Sequence, residues 1–469
     1  MGRTVAVILA AGQGKRMRSA LAKVLHPVAG RPMIRYVLDA ALEAGVDAVV
    51  VVVGRDAERV QEACVQAAAE RRPPLAFALQ EEQLGTGHAV LQARPHVGEA
   101  DRLLVLYGDT PLIEAAQIRA LLDAHAAAGA AATLLTAVVA DPTGYGRVVR
   151  GGDGAVLRIV EEKDATEEER RIQEINTGIG CFTPGPLWEA LQRVEPRNAQ
   201  GEYYLTDVVA LLRGMGHRTA AVPAADAEAV LGVNDRAALA EAGAVLRRRR
   251  LLRLMREGVT VVDPATTFVD ADVEVGEDTV ILPFTILEGR TRVGRGCRLG
   301  PGSHLIDSEL ADGVTVMQSV VEESRIAEGV RIGPFAHVRP GCEIGPGAEI
   351  GNYAEVKKSR LGAGVKAHHH SYIGDAVIGD NVNVGAGLVT VNYDGRRKHV
   401  TVVEAGAFLG CNVNLVAPVT VGRDAYVAAG STVTEPVPPG ALAIARERQV
   451  NKEGWVERAR SRPAGDGSA

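Results

Sequence analysis

Residues 269–299 read VDADVEVGEDTVILPFTILEGRTRVGRGCRL, and an aliphatic residue recurs in this stretch at every sixth position. The recurring residues are Val269, Val275, Ile281, Leu287, Val293 and Leu299. A period of six fits neither an α-helix nor an ordinary strand, whose periods are about 3.6 and 2. It predicts a solenoid in which short flat strands each place one aliphatic side chain inward and tight turns join them.

The same period resumes over 326–356 and again over 403–433, and a small residue usually follows each aliphatic four positions later. This pattern resembles the hexapeptide-repeat family, which implies a left-handed parallel β-helix for the C-terminal half. One segment, Asn392–Val400 (NYDGRRKHV), is polar and lacks the period. We expect it to leave the coil as a loop, and such loops are often functional.

The N-terminal half shows a different pattern, in which compact apolar runs alternate with helical periodicity. Between the first two runs, Pro32–Ala44 has a helical apolar stripe that begins at a proline and stops at Gly45. This alternation predicts an α/β, Rossmann-like domain with a parallel sheet, right-handed crossovers and a ligand site at the carboxyl ends of the strands. The runs expected to form strands are Val5–Ala11, Val46–Val53, Leu103–Tyr107, Thr133–Val139 and Gly178–Phe182.

Four segments follow from the change of period: a first domain at 1–236, a linker helix at 237–258, the β-helix at 259–446 and a tail at 447–469. The linker contains four consecutive arginines, Arg247–Arg250. They suit either a solvated helix face or a nucleic-acid patch, and the acidic chain favours the solvated face. The segment after Trp455 is rich in Arg, Ser, Pro and Gly, and we expect it to be disordered.

Composition restricts the partners and the compartment. The net charge of −6 gives no nucleic-acid footprint, so an anionic substrate must be held by local cations. The five cysteines are an odd number without a CxxC pair, which indicates a reduced, cytoplasmic chain. No apolar run approaches the ~18 residues of a membrane span, and the run Val5–Ala11 leads into Gly-Gln-Gly-Lys-Arg rather than a cleavage site.

A glycine-containing loop, LAAGQGKRM at 9–17, follows the first predicted strand. It is neither a Walker A loop, because Leu9 and Arg16 break that pattern, nor GxGxxG, because position 17 is Met. Its glycines still allow backbone N–H groups to approach a phosphate or a base, and Arg16 and Lys23 supply cations for a polyphosphate. A purely structural strand–helix turn is the alternative.

Further motifs follow this loop in order. They are KVLHP (23–27), QEEQLGTGH (80–88), YGD (107–109), PTGYGR (142–147), EINTG (174–178) and GEYYLTD (201–207). The set resembles sugar-phosphate nucleotidyltransferases. Together with the solenoid, the chain up to about Trp455 resembles the family of bacterial bifunctional N-acetylglucosamine-1-phosphate uridyltransferase/glucosamine-1-phosphate acetyltransferases.

This resemblance implies a first site in which a sugar-1-phosphate attacks the α-phosphorus of UTP with the help of Mg²⁺. Asp109 and Asn234 would hold the metal, and Lys23 would touch a phosphate. Gly146, Glu161, Asn176 and Thr177 would contact the sugar. The remaining residues implied for the uridine nucleotide and sugar are Leu9, Ala10, Ala11, Gly12, Arg16, Gln80, Gly85, Thr86, Tyr107 and Gly108. Lys15 departs from the Thr or Ser common in the family and adds a cation.

A second site is implied around His368-His369-His370. Residues 368 and 370 of an extended chain face one way and 369 the other, which is poor geometry for a three-ligand metal site. The resemblance instead makes His369 the general base that deprotonates an amine. Arg339 and Lys357 would bind the sugar phosphate, with Glu355 nearby, and Tyr372, Asn383, Asn392 and Tyr393 would complete the sugar pocket. The acetyl-CoA side would be lined by Ala386, Cys411, Ala429 and Arg446, with Cys411 replacing the usual Ser.

The whole pattern predicts a two-step enzyme. Acetyl-CoA would acetylate glucosamine-1-phosphate, and the N-acetylglucosamine-1-phosphate formed would react with UTP to give UDP-N-acetylglucosamine, a cell-wall precursor. The resemblance also implies a homotrimer with acetyltransferase sites between subunits, and no membrane or nucleic-acid partner. Two alternatives are a single-function nucleotidyltransferase whose solenoid only oligomerises or regulates, and a non-catalytic scaffold with a nucleotide-sensing domain. The candidate base His369 and the polar loop at 392–400 speak against the first alternative. Release of CoA thiol on addition of glucosamine-1-phosphate would distinguish all three.

Overall fold

The computed structural model of the protein describes residues 2–68, 74–152 and 154–461. The chain divides between Arg250 and Leu251 into two compact units.

The first unit is an α/β domain built on one main sheet. Its strands are β1 (Thr4–Leu9), β2 (Pro27–Val28), β3 (Arg31–Pro32), β4 (Ala48–Val53), β5 (Leu75–Leu79), β6 (Arg102–Tyr107), β7 (Ala132–Val138), β8 (Gly146–Arg150), β9 (Val156–Val160), β10 (Glu174–Phe182) and β11 (Thr219–Pro223). Its helices are α1 (Met33–Glu43), α2 (Ala57–Ala68), α3 (Thr86–Val97), α4 (Ala115–Ala128), α5 (Glu167–Arg170), α6 (Pro184–Leu191) and α7 (Asp207–Gly214), followed by α8 (Arg236–Arg256) at the division.

Both faces of the main sheet are buried, as continuous apolar strands require. Alternate residues of β1 enter two separate cores: Ala6 and Ile8 pack on one face, and Val5 and Val7 on the other. The prediction of a buried strand at this point is therefore confirmed. Short 3₁₀ turns at Lys15–Met17, Lys23–Leu25 and Glu228–Val230 complete the unit.

The main sheet has the order β11-β7-β10-β6-β1-β4-β5, with β8 and β9 attached through β10. Strands β5, β4, β1 and β6 are parallel, as predicted. Strand β10, which contains the run 178–182, is antiparallel to β6 and β7 instead. The chain reaches β10 from the β8–β9 hairpin and α5, so no long crossover helix returns it to the parallel direction.

Helix α1 forms where its pattern predicts. It follows Pro32 directly and ends just before Gly45. Its apolar stripe, which includes Met33, Val37 and Leu38, is buried in the domain. Burial of this face, more than intrinsic helix propensity, stabilises a helix of this length.

The second unit is the parallel β-helix that the period of six predicts. Its chain passes in turn through three sheets, here called sheets I, II and III. Sheet I contains β12 (Thr260–Val261), β15 (Val280–Ile281), β18 (Arg298–Leu299), β21 (Thr315–Val316), β24 (Arg331–Ile332), β27 (Glu349–Asn352), β30 (Lys366–His369), β33 (Asn383–Val384), β36 (Phe408–Leu409), β39 (Tyr426–Val427) and β41 (Leu442–Ala443). Sheet II contains β13 (Phe268–Val269), β16 (Ile286–Glu288), β19 (His304–Ile306), β22 (Val320–Glu322), β25 (His337–Val338), β28 (Glu355–Lys357), β31 (Tyr372–Gly374), β34 (Val389–Val391), β37 (Asn414–Val416) and β40 (Thr432–Val433). Sheet III contains β14 (Glu274–Val275), β17 (Arg292–Val293), β20 (Glu309–Leu310), β23 (Arg325–Ile326), β26 (Glu343–Ile344), β29 (Arg360–Leu361), β32 (Ala376–Ile378), β35 (Thr401–Val403) and β38 (Val419–Val421).

The core of this unit consists of the recurring aliphatics. Ile281, Leu287 and Leu299 are completely buried in one continuous cluster that runs the length of the coil. Small residues four positions after an aliphatic, such as Cys297 and Ala348, are buried in the same cluster. The periodic residues therefore form the core that the sequence predicts, and the glycines and polar residues between them form the corners.

The N-terminal part of α8 belongs to the first unit. Ala242 and Val245 pack with Val28, Met33 and Leu112 in a small core of their own. The arginine run also bonds to the same unit. Arg248 pairs with Glu228 at 3.2 Å, and Arg249 donates to the Leu112 carbonyl at 2.8 Å and pairs with Glu114 at 3.1 Å. These partners favour a structural role for the run over a nucleic-acid patch.

The C-terminal segment departs from the expected disorder at one point. Trp455–Arg460 forms a short exposed helix, α9. Residues 462–469 of the predicted tail lie outside the described residues. Over the ranges that the structure describes, no helix combines the length and apolar character needed to cross a membrane.

The small core under α8 predicts where the first unit can be cut. A fragment 1–250 keeps Val245 and the half-buried Leu246, whereas 1–236 loses both. Losing this apolar burial should lower the free energy of unfolding by roughly 3–6 kcal/mol. Urea denaturation of both fragments measures the difference.

Two variants of the 1–250 fragment serve as controls. Val245→Ala should reproduce part of this loss of stability, and Glu241→Ala, at an exposed position of α8, should change stability by less than about 0.5 kcal/mol. Equal stability of 1–236 and 1–250 would show that α8 contributes nothing to the first unit.

Candidate active sites

A cavity of about 550 Å³ opens at the carboxyl ends of β1, β5 and β6, the place that a parallel sheet predicts for a ligand. Most residues assigned to the nucleotide by motif line it. The lining is Leu9, Ala10, Ala11, Gly12, Gln13, Gly14, Lys15, Arg16, Lys23, Val24, Gln80, Gln83, Gly85, Thr86, Ala89, Tyr107, Asp109, Gln200, Glu202 and Asn234. Gln83, Gln200 and Glu202 were not predicted, although all three lie within or beside quoted motifs.

The loop after β1 forms one wall of this cavity. Gly14 has φ +59°, and a Cβ there would lie 2.7 Å from the Lys23 Cβ. Only glycine fits this position. The Gln83 amide donates to the Ala11 carbonyl at 2.9 Å and so ties the loop to the QLGTG segment. Lys15 and Arg16 are exposed at the mouth of the cavity.

Gly85 shapes the opposite wall. Its φ is +112°, and a Cβ there would lie 2.6 Å from the Tyr203 carbonyl oxygen. The Gly87 N–H donates to the same carbonyl at 2.8 Å, and the Thr86 hydroxyl accepts from the Leu205 N–H at 3.0 Å. The QLGTG and GEYYLTD motifs are therefore one packed unit.

The two predicted metal ligands lie together. The Val233 N–H donates to the Asp109 carbonyl at 2.8 Å and so brings Asn234 beside Asp109. The Lys23 ammonium forms an ion pair with the Asp109 carboxylate and donates to Asn234 Oδ1 at 2.9 Å. Arg16 donates to the same oxygen at 2.8 Å. Lys23 therefore contacts both of the predicted metal ligands in this structure.

This donor set suits a hard divalent cation. A carboxylate and an amide oxygen converge on one positively charged group, and Mg²⁺ commonly takes one or two protein oxygens with water and substrate phosphates completing its shell. Within the described ranges, no three His, Cys, Asp or Glu side chains cluster as a metal site. A metal ion here would therefore depend on its substrate for further ligands.

The residues assigned to the sugar lie in neighbouring strands and do not line the cavity itself. Gly146 pairs with Asn176 across β8 and β10, and Glu161 lies 3.3 Å from a Cβ built at Gly146. The Tyr107 ring, which lines the cavity, packs against Gly178. Tyr107 thus joins the cavity to the residues assigned to the sugar.

Further hydrogen bonds hold the side chains of the residues assigned to the sugar. The Thr206 hydroxyl donates to Glu161 at 3.1 Å, and the Thr177 hydroxyl donates to the Leu135 carbonyl at 2.7 Å. Burial raises the pKa of Glu161, and the Thr206 hydrogen bond opposes the rise. Gly108, whose N–H donates to the Leu9 carbonyl at 2.9 Å, joins the ends of β6 and β1.

Arg147 is a structural residue of this region that the sequence analysis did not single out. Its guanidinium is almost completely buried and donates to the Tyr145 carbonyl and to Glu162 at 2.7 Å. The Gly144 N–H donates to the same carboxylate at 3.2 Å. This network lowers the pKa of Glu162 against the effect of burial and holds the loop before Gly146.

In the second unit, a polar cluster occupies the outer face of sheet II. Arg339 pairs with Glu355 at 2.8 Å, and Glu355 lies opposite Tyr372 in the strand register. The Asn392 amide donates to the Tyr372 hydroxyl at 3.3 Å and also to Asp375. Three of the predicted substrate residues, Arg339, Tyr372 and Asn392, therefore lie together with Glu355.

A lysine pair adjoins this cluster. Lys357 pairs with Asp375 at 3.5 Å, and both side chains are largely buried. Lys398, from the loop at 392–400, contacts Lys357, and this contact lowers the pKa of Lys398. Two ammonium groups in contact favour an anion beside them. Neither Lys398 nor Asp375 was predicted, and the only signal for Lys398 is the charge of the loop that carries it.

The corner between sheets I and II carries the second group of predicted residues. Successive coils stack there, because Gly387 donates to the His370 carbonyl, Asn412 to Ala386 and Gly430 to Cys411. The Arg446 side chain passes beside Gly430. His369, Ala386, Cys411, Ala429 and Arg446 therefore form one strip along this corner, which is called the corner strip below.

The three histidines have different surroundings. His368 donates a hydrogen bond from Nε2 to the Glu349 carboxylate at 3.0 Å, and its ring meets that of His369 edge-on at 6.1 Å. His369 is exposed, and within the described residues its ring makes no hydrogen bond. The run does not converge on one point, so the structure gives no support to a histidine metal site.

Two predicted residues lie apart from the sheet II cluster. Asn383 belongs to sheet I, in register with Lys366 and Phe408. Tyr393 is 56% exposed in the loop, with its hydroxyl bonded to the Gly395 carbonyl. One chain alone therefore does not assemble all of the residues assigned to the acetyl-transfer site.

Comparison with known proteins covers both units. Residues 6–176 match the family of MobA-like NTP transferase domains, and residues 323–358 match the bacterial transferase hexapeptide family. The chain is 53% identical over 459 residues to the bifunctional protein GlmU of Geobacillus sp. strain WCH70, with 98% of each chain covered. It is 52% identical to that of Geobacillus thermodenitrificans, with 98% of this chain and 99% of the relative covered, and 53% identical to that of Brevibacillus brevis, with 96% and 97% covered.

The exposure of the five cysteines makes a direct test of the corner strip. Cys411 is exposed, whereas the other four are buried, and burial raises the pKa of Cys64 and of Cys181 to about 12. A maleimide should therefore label Cys411 in the native protein far faster than any other thiol. Peptide mass spectrometry after a short exposure measures this, with the urea-unfolded protein, in which all five thiols react, as the control. Failure of Cys411 to label in the native protein would contradict its place on the surface of the strip.

Proposed function

Because the chain belongs to the family of bifunctional GlmU proteins and is a bifunctional uridyltransferase and acetyltransferase, we propose that its two units divide the synthesis of UDP-N-acetylglucosamine between them. The second unit acetylates glucosamine-1-phosphate with acetyl-CoA, and the first couples the product to UTP. The observation that best supports this proposal is that the two sets of motifs lie in two separate polar sites. The nucleotidyltransferase motifs line a cavity in the first unit, and the acetyltransferase residues form a polar cluster in the second.

In the first unit, the cavity at the ends of β1, β5 and β6 binds the uridine nucleotide, and Gly146, Glu161, Asn176 and Thr177 bind the sugar. A phosphate oxygen of the sugar-1-phosphate attacks the α-phosphorus, and the bond to pyrophosphate breaks. Lys15, Arg16 and Lys23 offset the negative charge of the phosphates. Lys15 gives this chain a cation where the family commonly has a hydroxyl.

Asp109 and Asn234 hold Mg²⁺ in this proposal, and their convergence on the Lys23 ammonium supports it. When bound, the metal would offset negative charge on the transferring uridylyl group and on pyrophosphate. With a metal ion held by Asp109 and Asn234, the Lys23 ammonium would no longer be needed to balance the Asp109 carboxylate and would be available to contact a phosphate, as the family assignment implies.

In the second unit, the cations around Glu355 and Asp375 bind the phosphate of glucosamine-1-phosphate. Arg339, Lys357 and Lys398 are the residues in question, and Tyr372 and Asn392 contact the sugar. The proximity of two ammonium groups without a full set of counter-charges supports an anion site here.

His369 is the general base. It takes a proton from the sugar amine as the nitrogen attacks the thioester carbon, the C–S bond breaks, and CoA leaves as the thiol after receiving a proton. The absence of a hydrogen-bond partner for His369 within the described residues leaves both ring nitrogens free for this role. Ala386, Cys411, Ala429 and Arg446 line the acetyl-CoA path along the corner strip, with Arg446 at its phosphate end.

We further propose that the enzyme is a homotrimer with the acetyltransferase sites between subunits. Asn383 and the sheet II cluster lie on different faces of one chain, so a second copy that presents sheet I to sheet II would bring them together. Exposed aromatics on the corner, such as the stacked Phe335 and Tyr353, give such a contact an apolar surface.

The proposal extends to the compartment. Five unpaired cysteines, four of them buried, suit a reducing environment and therefore the cytoplasm. UDP-N-acetylglucosamine formed there would serve as a cell-wall precursor. The partners in this proposal are glucosamine-1-phosphate, N-acetylglucosamine-1-phosphate, UTP and acetyl-CoA rather than nucleic acid or a membrane.

Asp109→Ala should reduce pyrophosphate release from UTP and N-acetylglucosamine-1-phosphate to background, because the carboxylate positions the metal. Release of CoA thiol on addition of glucosamine-1-phosphate should be unchanged in the same protein, because that site lies in the other unit. The two assays, run side by side on one preparation, measure both. Retained Mg²⁺-dependent pyrophosphate release would move the metal site away from Asp109.

His369→Ala should have the opposite pattern. Release of CoA thiol should fall by roughly 10²–10⁴-fold, the range for loss of a general base. Pyrophosphate release should be unaffected. His368→Ala and His370→Ala are the matched controls and should lose much less, since His368 contacts Glu349 rather than the reacting amine. Equal losses at all three positions, restored by added zinc, would indicate a metal site instead.

A further inference from the structure

Gln80 is a buried polar residue that lines the nucleotide cavity directly after β5. Its side-chain nitrogen lies 3.1 Å from the Gly85 carbonyl oxygen. A carbonyl oxygen only accepts hydrogen bonds, so the group that faces it must be the NH₂ end of the amide. The contact with the Gly85 carbonyl therefore identifies which end of the Gln80 amide is the NH₂ group.

The same NH₂ group lies 3.1 Å from His88 Nδ1. Its second hydrogen points at this nitrogen, so Nδ1 must carry a lone pair and the ring proton must sit on Nε2. The Gln92 side-chain nitrogen lies 3.0 Å from Nε2. Because Nε2 carries a hydrogen, the Gln92 amide is assigned the other way round, so that its oxygen accepts this hydrogen bond. His88 is thus held as one neutral tautomer between two glutamines.

This arrangement leaves Gln80 Oε1 as the end of the amide that is available to a ligand. Within the described residues, no group donates to it. An acceptor at this place matches the N3–H of uracil. Cytosine has a lone pair at N3 instead, which would meet the Gln80 oxygen without a proton between them.

We propose that His88 is a positioning residue that holds the Gln80 amide in the orientation that accepts uracil and rejects cytosine. This inference rests on the proposed function, because it concerns the base of the nucleotide that the first unit uses. Without an acceptor at Nδ1, one hydrogen of the buried Gln80 NH₂ loses its partner. The amide then gains freedom to turn and present its NH₂ to the cavity, where it suits cytosine.

A purely structural role for His88 makes a different prediction. His88 is the third residue of α3 and is only half-buried. If it only packed that helix, its replacement would lower the rates with UTP and CTP by the same factor. The ratio of the two rates therefore separates positioning from packing.

The test compares His88→Leu with His88→Asn. Leucine fills a similar volume without an acceptor, whereas asparagine places an amide oxygen at about the position of Nδ1. We expect the wild type to prefer UTP over CTP strongly in kcat/KM for pyrophosphate release. His88→Leu should lower the UTP:CTP ratio by roughly tenfold or more, the effect of one buried hydrogen bond left unmade, and His88→Asn should restore most of it.

A second measurement needs no folded variant and no activity. Long-range ¹⁵N–¹H correlation spectra of histidine-labelled wild-type protein at pH 8 should show His88 as the Nε2–H tautomer. An Nδ1–H tautomer would overturn the inference. So would an unchanged UTP:CTP ratio in His88→Leu, or a wild type without base preference.

Failure of the proposed function has a different signature. A wild type that releases no pyrophosphate from either nucleotide would refute the uridyltransferase assignment. The tautomer of His88 in the spectrum would still decide whether the Gln80 amide is held as inferred.

Discussion

One aliphatic side chain at every sixth residue, turned into the coil, is the constraint on which the second unit depends. A slip of one residue in β26 would turn Ile344 outward and expose it to water, and a slip in β27 would do the same to Ile350. The register of each coil is therefore fixed by the aliphatic side chains in its core. The same register sets the outer faces. It places His337, Glu355 and Tyr372 in one row of sheet II, one coil apart. The polar site is therefore a consequence of the apolar period beneath it.

The parts of the fold with strong periodicity were predictable from the sequence. The buried parallel strands and α1 occur close to their predicted positions, and the aliphatics of the coil are buried. The direction of β10 was not predictable, because an apolar run buried on both faces carries no sign of which way its neighbours run. Strands β5 and β11 at the sheet edges are only half-buried and so carry a weaker pattern.

The candidate sites show the same division between local pattern and distant contact. The position of the cavity in the first unit was predictable, because most of its lining residues come from short motifs at strand ends. The contact between Lys357 and Lys398 was not, since it depends on where a loop outside the periodic coil comes back. The ion pair of Lys23 with Asp109 likewise joins residues far apart in sequence, and the amide chain through Gln80, His88 and Gln92 appears only when the distances are known.

The loop at 392–400 leaves the coil between β34 and β35, and both strands keep their partners in the coils on either side. Its length and composition are thus uncoupled from the core. We expect insertions, deletions and charge changes in its exposed residues to leave every inward aliphatic in place. Mutations can therefore change the length and the chemistry of this loop over generations without requiring a new stable fold. A solenoid of this kind can accept a loop of this type at each of its corners.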